Sequence, residues 1–495
     1  MKNYYFLMSI VTFVSFSCSH KPETIYIGEG TQAINEKILR IENGLLPANI
    51  IAGEPSKMFS INGRMQYFDV PGLSIAVIKD NKIEWAKSYG VKEKGTNDSV
   101  TLNTMFQAAS MSKPITAMIA LKLEEEKKIS LKQDINQQLK TWHLPENEFT
   151  KQRAVTPELL MLHLGGLNVP SFPGYSISDS IPDVTDILDG ISPSNTEAVK
   201  VVLVPNTKWS YSGGGYTVLQ FLMEEVTGTS FPKLMKDYLF DPLELKNSTF
   251  EHNLSEKQQK LIAKAYKEDG KMVNGGYYIY PEKAAAGLWT TSMDYANMIV
   301  ELEKSYLGES DKIIRPETSR KMLKRYRGDM ALGIVLKNNG DSIALAYGGW
   351  NEGYICDVYN YLKSGNGVVI MTNSNNGYML IQEIYRSLAI EYGWPDFKPT
   401  TIKTVNVPSS VLSKYAGTFK ALLEGNKEFT FDLVQNSDGL YFIDDNKSYK
   451  LYPISEAEFL IPDQDWRFKF LHKDIISDSV EFVIRFKSGI GNRID

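Results

Sequence analysis

Ser110 and Lys113 lie three residues apart and are of the types that form a nucleophile and its base. They stand where a stretch with apolar residues at helical spacing begins, and residues at i and i+3 share one face of a helix. Burial disfavours the charged form of a lysine, and a neutral amine beside a hydroxyl can take its proton. The start of a helix also offers backbone N–H groups and positive potential to a developing oxyanion. The pair therefore predicts an activated serine nucleophile.

The spacing alone does not identify a site, because Ser230 and Lys233 share it and nothing around them suggests chemistry. A capping serine with a surface lysine is the common alternative. A second candidate group is Tyr211, which is followed closely by three consecutive glycines at 213–215. Glycine permits close backbone approaches, so we interpret this segment as a loop that brings an aromatic hydroxyl to a site. A glycine-rich turn with a core tyrosine is the alternative.

Histidines and cysteines give no sign of a metal or redox site. The five histidines are scattered and form no ligand cluster, so we expect no zinc site and no cofactor. His163 falls in a short helix predicted by the Thr156 cap and Pro157, and we interpret it as a packed, hydrogen-bonded residue. Cys356 is the only cysteine after Cys18, which predicts an exported chain without an internal disulfide. We interpret Cys356 as a small buried hydrophobe.

The composition is that of a globular protein with two domains and appendages, since the chain has 495 residues, of which 43% are hydrophobic and 23% charged. The net charge is −5, with no basic cluster and no P-loop, so nucleic acid is not an expected partner. We expect a small-molecule or peptide substrate. The oligomeric state is left open by the sequence.

Residues 1–17 have the pattern of a signal peptide. Lys2 precedes an apolar run over residues 4–16 that is too short to span a bilayer, and small residues then precede Cys18. The segment resembles a bacterial lipoprotein signal with Cys18 as the lipidated residue, although Ser15 replaces the usual leucine. Cleavage by an ordinary signal peptidase at the same bond is the alternative. We expect an exported lipoprotein of a Gram-negative bacterium, in the periplasm or outer membrane and anchored through Cys18.

Hydrophobic patterns predict an α+β fold followed by a separate all-β domain. The first part contains a strand hairpin, the helix that begins near Ser110, a second antiparallel strand pair and a final helix, predicted over 72–79 with 82–89, 110–127, 355–361 with 368–372, and 381–392. From about residue 409 the pattern changes to short alternating strands separated by turn residues. That pattern predicts a small antiparallel sandwich or barrel.

Six motifs follow one another between Val70 and Tyr392, namely Pro-Gly-Leu-Ser-Ile-Ala-Val at 71–77, Ser-x-x-Lys at 110–113, Leu-His-Leu-Gly-Gly-Leu at 162–167, Tyr-Ser at 211–212, Ala-Ala-Gly-Leu at 285–288 and Gly-Gly-Trp-Asn-Glu-Gly at 348–353. In this order they resemble the motifs of serine β-lactamases and penicillin-binding proteins, in particular the class C β-lactamase-like hydrolases and esterases. The resemblance implies an antiparallel sheet flanked by helices, with a helical subdomain. With the patterns on either side of these motifs, the predicted domains are a tether with an N-terminal helix, the β-lactamase-like serine hydrolase domain, a linker and the β-domain, at 18–60, 61–395, 396–408 and 409–495.

The resemblance also implies a role for each matching residue. Ser110 would be acylated with Lys113 as its general-base partner, and Tyr211 would share proton transfer to and from the leaving group. The backbone N–H groups of Ser110 and Trp350 would form the oxyanion hole. Substrate would bind at four further positions, which are Tyr347, Gly348, Gly349 and Gly213.

Two departures from the family pattern bear on the substrate. Gly213 stands where the second motif usually has asparagine, and Tyr347 begins a third motif that usually reads Lys-Thr-Gly or His-x-Gly. A tyrosine, with a reference pKa of about 10, is neutral at about pH 7 and offers a hydrogen bond rather than a charge. We therefore expect weak selectivity for a substrate carboxylate, and an ester or amide substrate without one. A β-lactamase or D-alanyl-D-alanine carboxypeptidase, and a non-catalytic binding or sensor protein, are the alternatives.

Overall fold

The computed structural model describes residues 25–28, 30–423, 427–444, 447–463, 465–471, 477–484 and 487–495. The predicted signal peptide and Cys18 lie outside the described residues, so cleavage and lipidation stay predictions. Within the described ranges, no helix has the length and apolar character needed to cross a membrane. In the same ranges no group of three or more His, Cys, Asp or Glu side chains could hold a metal ion.

Several helices begin where a hydroxyl side chain caps a free backbone N–H group, as at Ser60, Thr156, Ser212 and Thr291. In chain order the helices are α1 (Thr31–Asn43), α2 (Ile61–Phe68), α3 (Ser112–Glu125), α4 (Pro157–Met161), α5 (Val184–Asp189), α6 (Gly213–Thr227), α7 (Phe231–Met235), α8 (Glu256–Gln259), α9 (Lys283–Ala286), α10 (Ser292–Leu307), α11 (Pro316–Met322), α12 (Gly377–Tyr392) and α13 (Ser409–Tyr415).

The strands fall into one large sheet, a barrel and three small two-stranded sheets. In chain order they are β1 (Ile25–Ile27), β2 (Asn49–Ile51), β3 (Gly72–Lys79), β4 (Lys82–Gly90), β5 (Phe106–Gln107), β6 (Tyr175–Ser176), β7 (Tyr278–Ile279), β8 (Trp289–Thr290), β9 (Met330–Ala331), β10 (Ile334–Lys337), β11 (Ala344–Asn351), β12 (Tyr354–Tyr361), β13 (Asn366–Thr372), β14 (Thr400–Ile402), β15 (Gly417–Leu423), β16 (Lys427–Asn436), β17 (Gly439–Asp444), β18 (Lys447–Pro453), β19 (Glu458–Ile461), β20 (Trp466–Phe470), β21 (Ser479–Ile484) and β22 (Lys487–Arg493).

The large sheet is antiparallel, with the strand order β1-β4-β3-β13-β12-β11-β10-β9. Its central strands are covered on both faces. Along β3, Ala76 and Ile78 belong to one hydrophobic core, while Ile75 and Val77 belong to a second one on the opposite face. Because successive side chains of a strand point to opposite faces, this double burial explains why β3 is a continuous apolar run in the sequence.

Helices cover the two faces unequally. The first core is the larger and includes buried residues of α3, α6 and α10, whereas α1, α2 and α12 pack on the second core. The predicted tether at 18–60 contributes to this body, because β1 pairs with β4 at the edge of the sheet. The predicted linker at 396–408 contains β14, which pairs in parallel with β2. The domain boundaries themselves stay predictions.

The C-terminal strands β15 to β22 form a closed antiparallel barrel. Its interior is filled by a third hydrophobic core that is rich in phenylalanine, including Phe419, Phe431, Phe442, Phe468 and Phe482. Alternation of apolar and polar residues had predicted either a sandwich or a barrel. Closure depends on the pairing of β15 with β22, some seventy residues apart in the chain, which local patterns do not reveal.

The barrel contacts the rest of the molecule through polar groups on the α2 side of the large sheet. The Asn49 amide donates to the Asp465 carboxylate at 2.7 Å, and the Tyr452 hydroxyl donates to Glu54 at 3.1 Å. The Lys447 ammonium lies 5.6 Å from the ring centroid of Tyr67 in α2. These contacts are on the opposite side of the sheet from Ala108 and Met111, which flank Ser110 and belong to the first core.

Candidate active site

Ser110 lies in a 3-10 turn, Ala109–Met111, that connects β5 to α3. The sequence placed it in the helix itself, but the helix begins only at Ser112. The turn is anchored by Ser112, whose hydroxyl donates to the Ala109 carbonyl at 2.6 Å and accepts from the Leu288 amide at 3.0 Å. Ala109 has a φ of +50°, which is unusual for a residue with a side chain. The turn leaves the Ser110 side chain half-buried, at the edge of the core.

Lys113 lies one turn further on and is 2% exposed. Its ammonium nitrogen donates to Ser110 Oγ at 3.0 Å and to the carbonyl of Ala285, in α9, at 2.7 Å. Burial lowers the pKa of Lys113, because removal from water disfavours the charged amine. The Ala285 carbonyl therefore orients an amine that faces the Ser110 hydroxyl.

Tyr211 brings its hydroxyl to the same atom. The distance between Tyr211 OH and Ser110 Oγ is 2.8 Å, and the Lys113 nitrogen lies 4.9 Å from the Tyr211 ring centroid. Tyr211 directly precedes Ser212, the N-cap of α6, whose hydroxyl accepts from the Gly215 amide at 3.0 Å. The three sequence-predicted groups Ser110, Lys113 and Tyr211 are thus brought into mutual contact.

The three glycines after Tyr211 have a different structure from the one the sequence predicted. Residues 213–215 form the first turn of α6 and not a loop. A side chain at Gly213 would meet the Phe172 ring at 2.7 Å and the Pro170 carbonyl at 3.1 Å. An asparagine, the usual residue of this motif, would need the Phe172 ring to move, and Gly213 itself offers substrate only its backbone.

The third motif lies on β11, which passes directly beside Ser110. A Cβ at Gly349 would be 2.1 Å from the Ala108 carbonyl oxygen, so only glycine allows this approach. In the described part of the chain, β10 pairs with β11 only as far as Ala346, and the edge beyond that residue faces the Ser110 turn. Asn351 and Tyr354 flank a two-residue turn that joins β11 to β12.

The side chains of the third motif are aromatic and neutral. Tyr347 is buried, and burial together with the nearby phenols of Tyr211 and Tyr216 raises its pKa above the ordinary value. Trp350 is 66% exposed, and its indole N–H donates to the Asn375 side-chain oxygen at 3.2 Å. Gly348 is exposed on the same strand. The wall of the site beside Ser110 therefore carries no cation at the first position of this motif.

A family model described as Beta-lactamase matches residues 61–389 of the chain. The chain belongs to the β-lactamase family. It is a serine hydrolase with the β-lactamase-like fold, as its motifs had predicted, and the α+β fold class with a following β-domain is confirmed. As a hydrolase of this family it acts on a small-molecule or peptide substrate.

Curated and solved relatives agree with this membership. The chain is 25% identical over 319 residues to the teichoic acid D-alanine hydrolase of Staphylococcus aureus, covering 64% of this chain and 74% of the relative. The structure of an octameric penicillin-binding protein homologue from Pyrococcus abyssi has a TM-score of 0.58 at 20% identity, and covers 87% of this chain and 98% of that one. FmtA from Staphylococcus aureus has a TM-score of 0.53 at 23% identity, covering 70% and 91%.

Two contributors to the site of this β-lactamase family member were not assigned a role from the sequence. The carbonyl of Ala285 holds Lys113, although only the surrounding Ala-Ala-Gly-Leu motif was visible as a pattern. His163 was interpreted as a packed residue within a helix, but α4 ends at Met161 and His163 follows it with a φ of +55°. Its ring centroid lies 4.4 Å from that of Tyr211. The Leu-His-Leu-Gly-Gly-Leu motif at 162–167, which contains His163, was the only sequence signal for this position.

Proposed function

We propose that the protein hydrolyses an ester through an acyl-enzyme formed on Ser110. The observation that carries this proposal is that one oxygen, Ser110 Oγ, lies within hydrogen-bond distance of both the Lys113 amine and the Tyr211 hydroxyl. A nucleophile, a base and a proton donor in mutual contact satisfy the geometry that acyl transfer requires.

In the first half of the reaction, neutral Lys113 takes the Ser110 proton while Ser110 Oγ bonds to the substrate carbonyl carbon. The carbonyl π electrons move to oxygen and form the tetrahedral oxyanion. When the oxyanion collapses, the bond to the leaving alkoxide breaks and Tyr211 gives that oxygen its own proton. Lys113 then passes to Tyr211 the proton that it took from Ser110. In the second half, water attacks the acyl-enzyme with the same groups in reverse roles and releases the acid and Ser110.

The backbone N–H groups of Ser110 and Trp350 are the proposed oxyanion hole. In an antiparallel hairpin with a two-residue loop, the residues that close the loop exchange hydrogen bonds, and the next residue along points its N–H to the other edge. Asn351 closes the loop here, so the register directs the Trp350 N–H towards the open edge of β11 beside Ser110. Fixed donors at that position stabilise the negative charge as it develops.

We propose a D-aminoacyl ester, such as a D-alanyl ester of a cell-envelope polymer, as the substrate. Support comes from the curated relative that is named a teichoic acid D-alanine hydrolase. Neutral Tyr347 also fits a substrate that has no carboxylate next to the scissile bond, unlike penicillins and D-alanyl-D-alanine peptides. A charged contact to such a carboxylate contributes about 1 kcal/mol more than a neutral one, and a neutral Tyr347 cannot make it.

We further propose that the protein acts outside the cytoplasm as a lipoprotein anchored through Cys18. The signal-like residues 1–17 and the envelope substrate of the curated relative support this location. A Cys18→Ala variant is expected to lose incorporation of labelled fatty acid and to leave the membrane fraction. Retention of the label by that variant would contradict lipidation at this residue.

The decisive experiment compares four substrates in parallel: a D-alanyl ester, its L-alanyl counterpart, a D-alanyl-D-alanine peptide and a chromogenic cephalosporin. We expect the D-alanyl ester to have the highest kcat/KM and a Ser110→Ala variant to lose that activity, by about 1000-fold or more. Ser230→Ala is the matched control, because Ser230 has the same spacing to a lysine, and it should behave as wild type. Activity that survives Ser110→Ala would exclude the mechanism, and preference for the peptide or the cephalosporin would exclude the substrate.

A further inference from the structure

His163 forms backbone hydrogen bonds with both neighbours of Tyr211. Its own carbonyl oxygen accepts from the Ser210 N–H at 2.9 Å, and its Nδ1 accepts from the Ser212 N–H at 3.1 Å. Tyr211 is the residue between these two contacts. One residue therefore fixes the chain immediately before and immediately after the phenol that reaches Ser110.

The imidazole also fixes the phenol ring itself. The ring centroids of His163 and Tyr211 are 4.4 Å apart with an interplanar angle of 37°, and Tyr216 packs nearby at 5.5 Å from His163. His163 is 2% exposed, so neither contact competes with water. Its φ of +55° turns the chain directly after α4 and directs the side chain towards Tyr211. The backbone conformation of His163, its ring packing and its hydrogen bonds therefore all act on the segment around Tyr211.

The hydrogen bonds define the protonation state of this histidine. Because Nδ1 accepts a backbone N–H, the single proton of the neutral ring lies on Nε2. A second proton would have to displace the Ser212 N–H from Nδ1, and Nε2 is buried without a hydrogen-bond partner within the described structure, so the charged ring would be poorly solvated. Burial and the nearby Lys113 charge lower the pKa of His163 to about 3. The imidazole therefore stays neutral at the pH at which an enzyme works.

We propose that His163 is a positioning residue that holds the Tyr211 hydroxyl on Ser110 Oγ for proton transfer to the leaving group. The inference rests on the proposed function, because it assigns to Tyr211 the delivery of that proton. Among the described residues, His163 makes no hydrogen bond to Ser110, and its ring packs against Trp209, Tyr211 and Tyr216. Its influence on the reaction passes through the orientation of Tyr211.

This role predicts a dependence on the leaving group. A p-nitrophenolate leaves without a proton, whereas the alkoxide of an ordinary alcohol needs one as the bond breaks. Loosening Tyr211 should therefore slow hydrolysis of an alkyl ester much more than hydrolysis of a p-nitrophenyl ester with the same acyl group. A variant that merely destabilised the fold would lower both activities equally, so the ratio of the two kcat/KM values separates the roles.

Two variants of His163 separate its ring from its hydrogen bond. His163→Phe keeps an aromatic ring but leaves the Ser212 N–H without its acceptor. His163→Asn loses the ring, but its side-chain oxygen takes the position of Nδ1, and asparagine tolerates positive φ. We expect His163→Phe to lower kcat/KM for the alkyl ester by about 10- to 100-fold with KM nearly unchanged, as displacement of a catalytic group by ~1 Å does.

The p-nitrophenyl ester should lose less than about threefold in His163→Phe, and His163→Asn should recover most of the alkyl-ester activity. Tyr211→Phe sets the upper limit for the change in the ratio of the two kcat/KM values. His143 is exposed, so His143→Phe is the control for adding a phenylalanine. An unchanged ratio in His163→Phe, or failure of His163→Asn to recover activity, would overturn the inference. If Ser110→Ala remains active, the proposed function fails instead.

A measurement on the unaltered protein keeps the inference testable if His163→Phe does not fold. Nitrogen NMR of imidazole-labelled protein distinguishes the two neutral tautomers from the charged ring. We expect one histidine, assigned by its loss in His163→Asn, to show a proton on Nε2 alone from about pH 5 to about pH 9. Titration of that histidine in this range, or a proton on Nδ1, would remove the acceptor for Ser212 and overturn the inference.

Discussion

At the scale of single residues, the site is distinguished by a buried lysine without a carboxylate partner. Among the described residues, the recorded hydrogen bonds of the Lys113 nitrogen go to a hydroxyl and a carbonyl oxygen, and no salt bridge to it is present. An ammonium group that is removed from water without a counter-charge releases its proton more easily. The same burial that makes Lys113 unfavourable for stability therefore makes it a base.

The pH dependence of hydrolysis should follow Lys113. Burial lowers its pKa from 10.5, and only the neutral amine accepts the Ser110 proton, so kcat/KM is expected to rise with pH and to reach its midpoint below 10.5. Lys113→Arg keeps the charge at every pH and should lower kcat/KM by about 100-fold or more. A pH–rate profile of the alkyl ester tests both statements. A flat profile, or an active Lys113→Arg enzyme, would contradict the role of the base, and Lys233→Arg is the matched control.

At the scale of elements, the site lies where the Ser110 turn, α3, α6, α9 and β11 meet. The turn contributes Ser110, α3 contributes Lys113, and the residue before the α6 cap contributes Tyr211. Each of these elements is anchored by a contact distant in sequence, such as the bond from Lys113 to Ala285. Alignment of three groups on one oxygen therefore depends on packing between elements as much as on the motifs.

The close approach of β11 to the Ser110 turn can be tested by substituting two neighbouring glycines of β11. A methyl group at Gly349 would meet the Ala108 carbonyl at 2.1 Å, whereas one at Gly348 would meet Asp357 Oδ2 at 3.3 Å on an exposed face. Gly349→Ala is expected to push the strand away from the turn, with kcat reduced about 100-fold. It should also lower the free energy of unfolding by about 1–3 kcal/mol.

Gly348→Ala is the matched control for the close contact and should keep the free energy of unfolding within about 1 kcal/mol of wild type. Steady-state kinetics with the alkyl ester and urea unfolding measure the two quantities. If Gly349→Ala retained wild-type kcat, the proposed oxyanion hole on β11 would be wrong. Equal effects of the two substitutions on the free energy of unfolding would show that the close contact with Ala108 does not cause the loss of stability.

The sequence predicted the local elements of this site better than the tertiary contacts that bring those elements together. Ser-x-x-Lys before an apolar stretch and a proline-started helix at Thr156 are local signals, and both elements are present. The glycines at 213–215 were interpreted as a loop because glycine permits close backbone approaches, yet Ser212 caps a helix that begins with them and the Phe172 ring lies beside Gly213. Ser212 is a residue type that caps helices and could have signalled the start of α6, whereas the neighbouring Phe172 is visible only in the tertiary structure.

His163 shows the same limit most clearly. A lone histidine in a short helical pattern carries no signal of function, and the interpretation as a packed, hydrogen-bonded residue describes its burial correctly. The pattern could not show that the hydrogen bond goes to Ser212 or that the ring packs against Tyr211 in a tilted arrangement, since these residues lie about fifty positions away. Contacts of that separation follow from how the helical layer folds back on itself.

At the scale of the whole molecule, the hydrolase body and the barrel have separate hydrophobic cores. The barrel is closed on itself around its own apolar interior, and polar contacts such as Asn49 with Asp465 join it to the body. Those contacts lie on the α2 side of the sheet, whereas the Ser110 turn lies on the other side. The closed barrel therefore does not contribute side chains to the candidate site through these contacts.

Removal of the barrel should leave hydrolysis nearly intact if the chain is cut at the right place. A protein that ends at residue 404 keeps β14, which pairs in parallel with β2 and completes the body. Because the lost contacts lie far from Ser110, we expect its kcat/KM for the alkyl ester to stay within about threefold of wild type. Loss of an exposed hydrogen bond such as that between Tyr452 and Glu54 costs about 1 kcal/mol or less, so thermal unfolding should shift by only a few degrees.

A protein that ends at residue 398 is the matched comparison, because it lacks β14 as well. Without that strand, the backbone groups of β2 that it satisfied face water, and the segment that follows α1 loses its anchor. We expect this shorter protein to unfold at a clearly lower temperature than the one that ends at 404, while their kcat values at a temperature where both are folded agree. A large loss of kcat on ending at 404 would instead mean that the barrel acts on the site, either by covering it or by holding the sheet in its active arrangement.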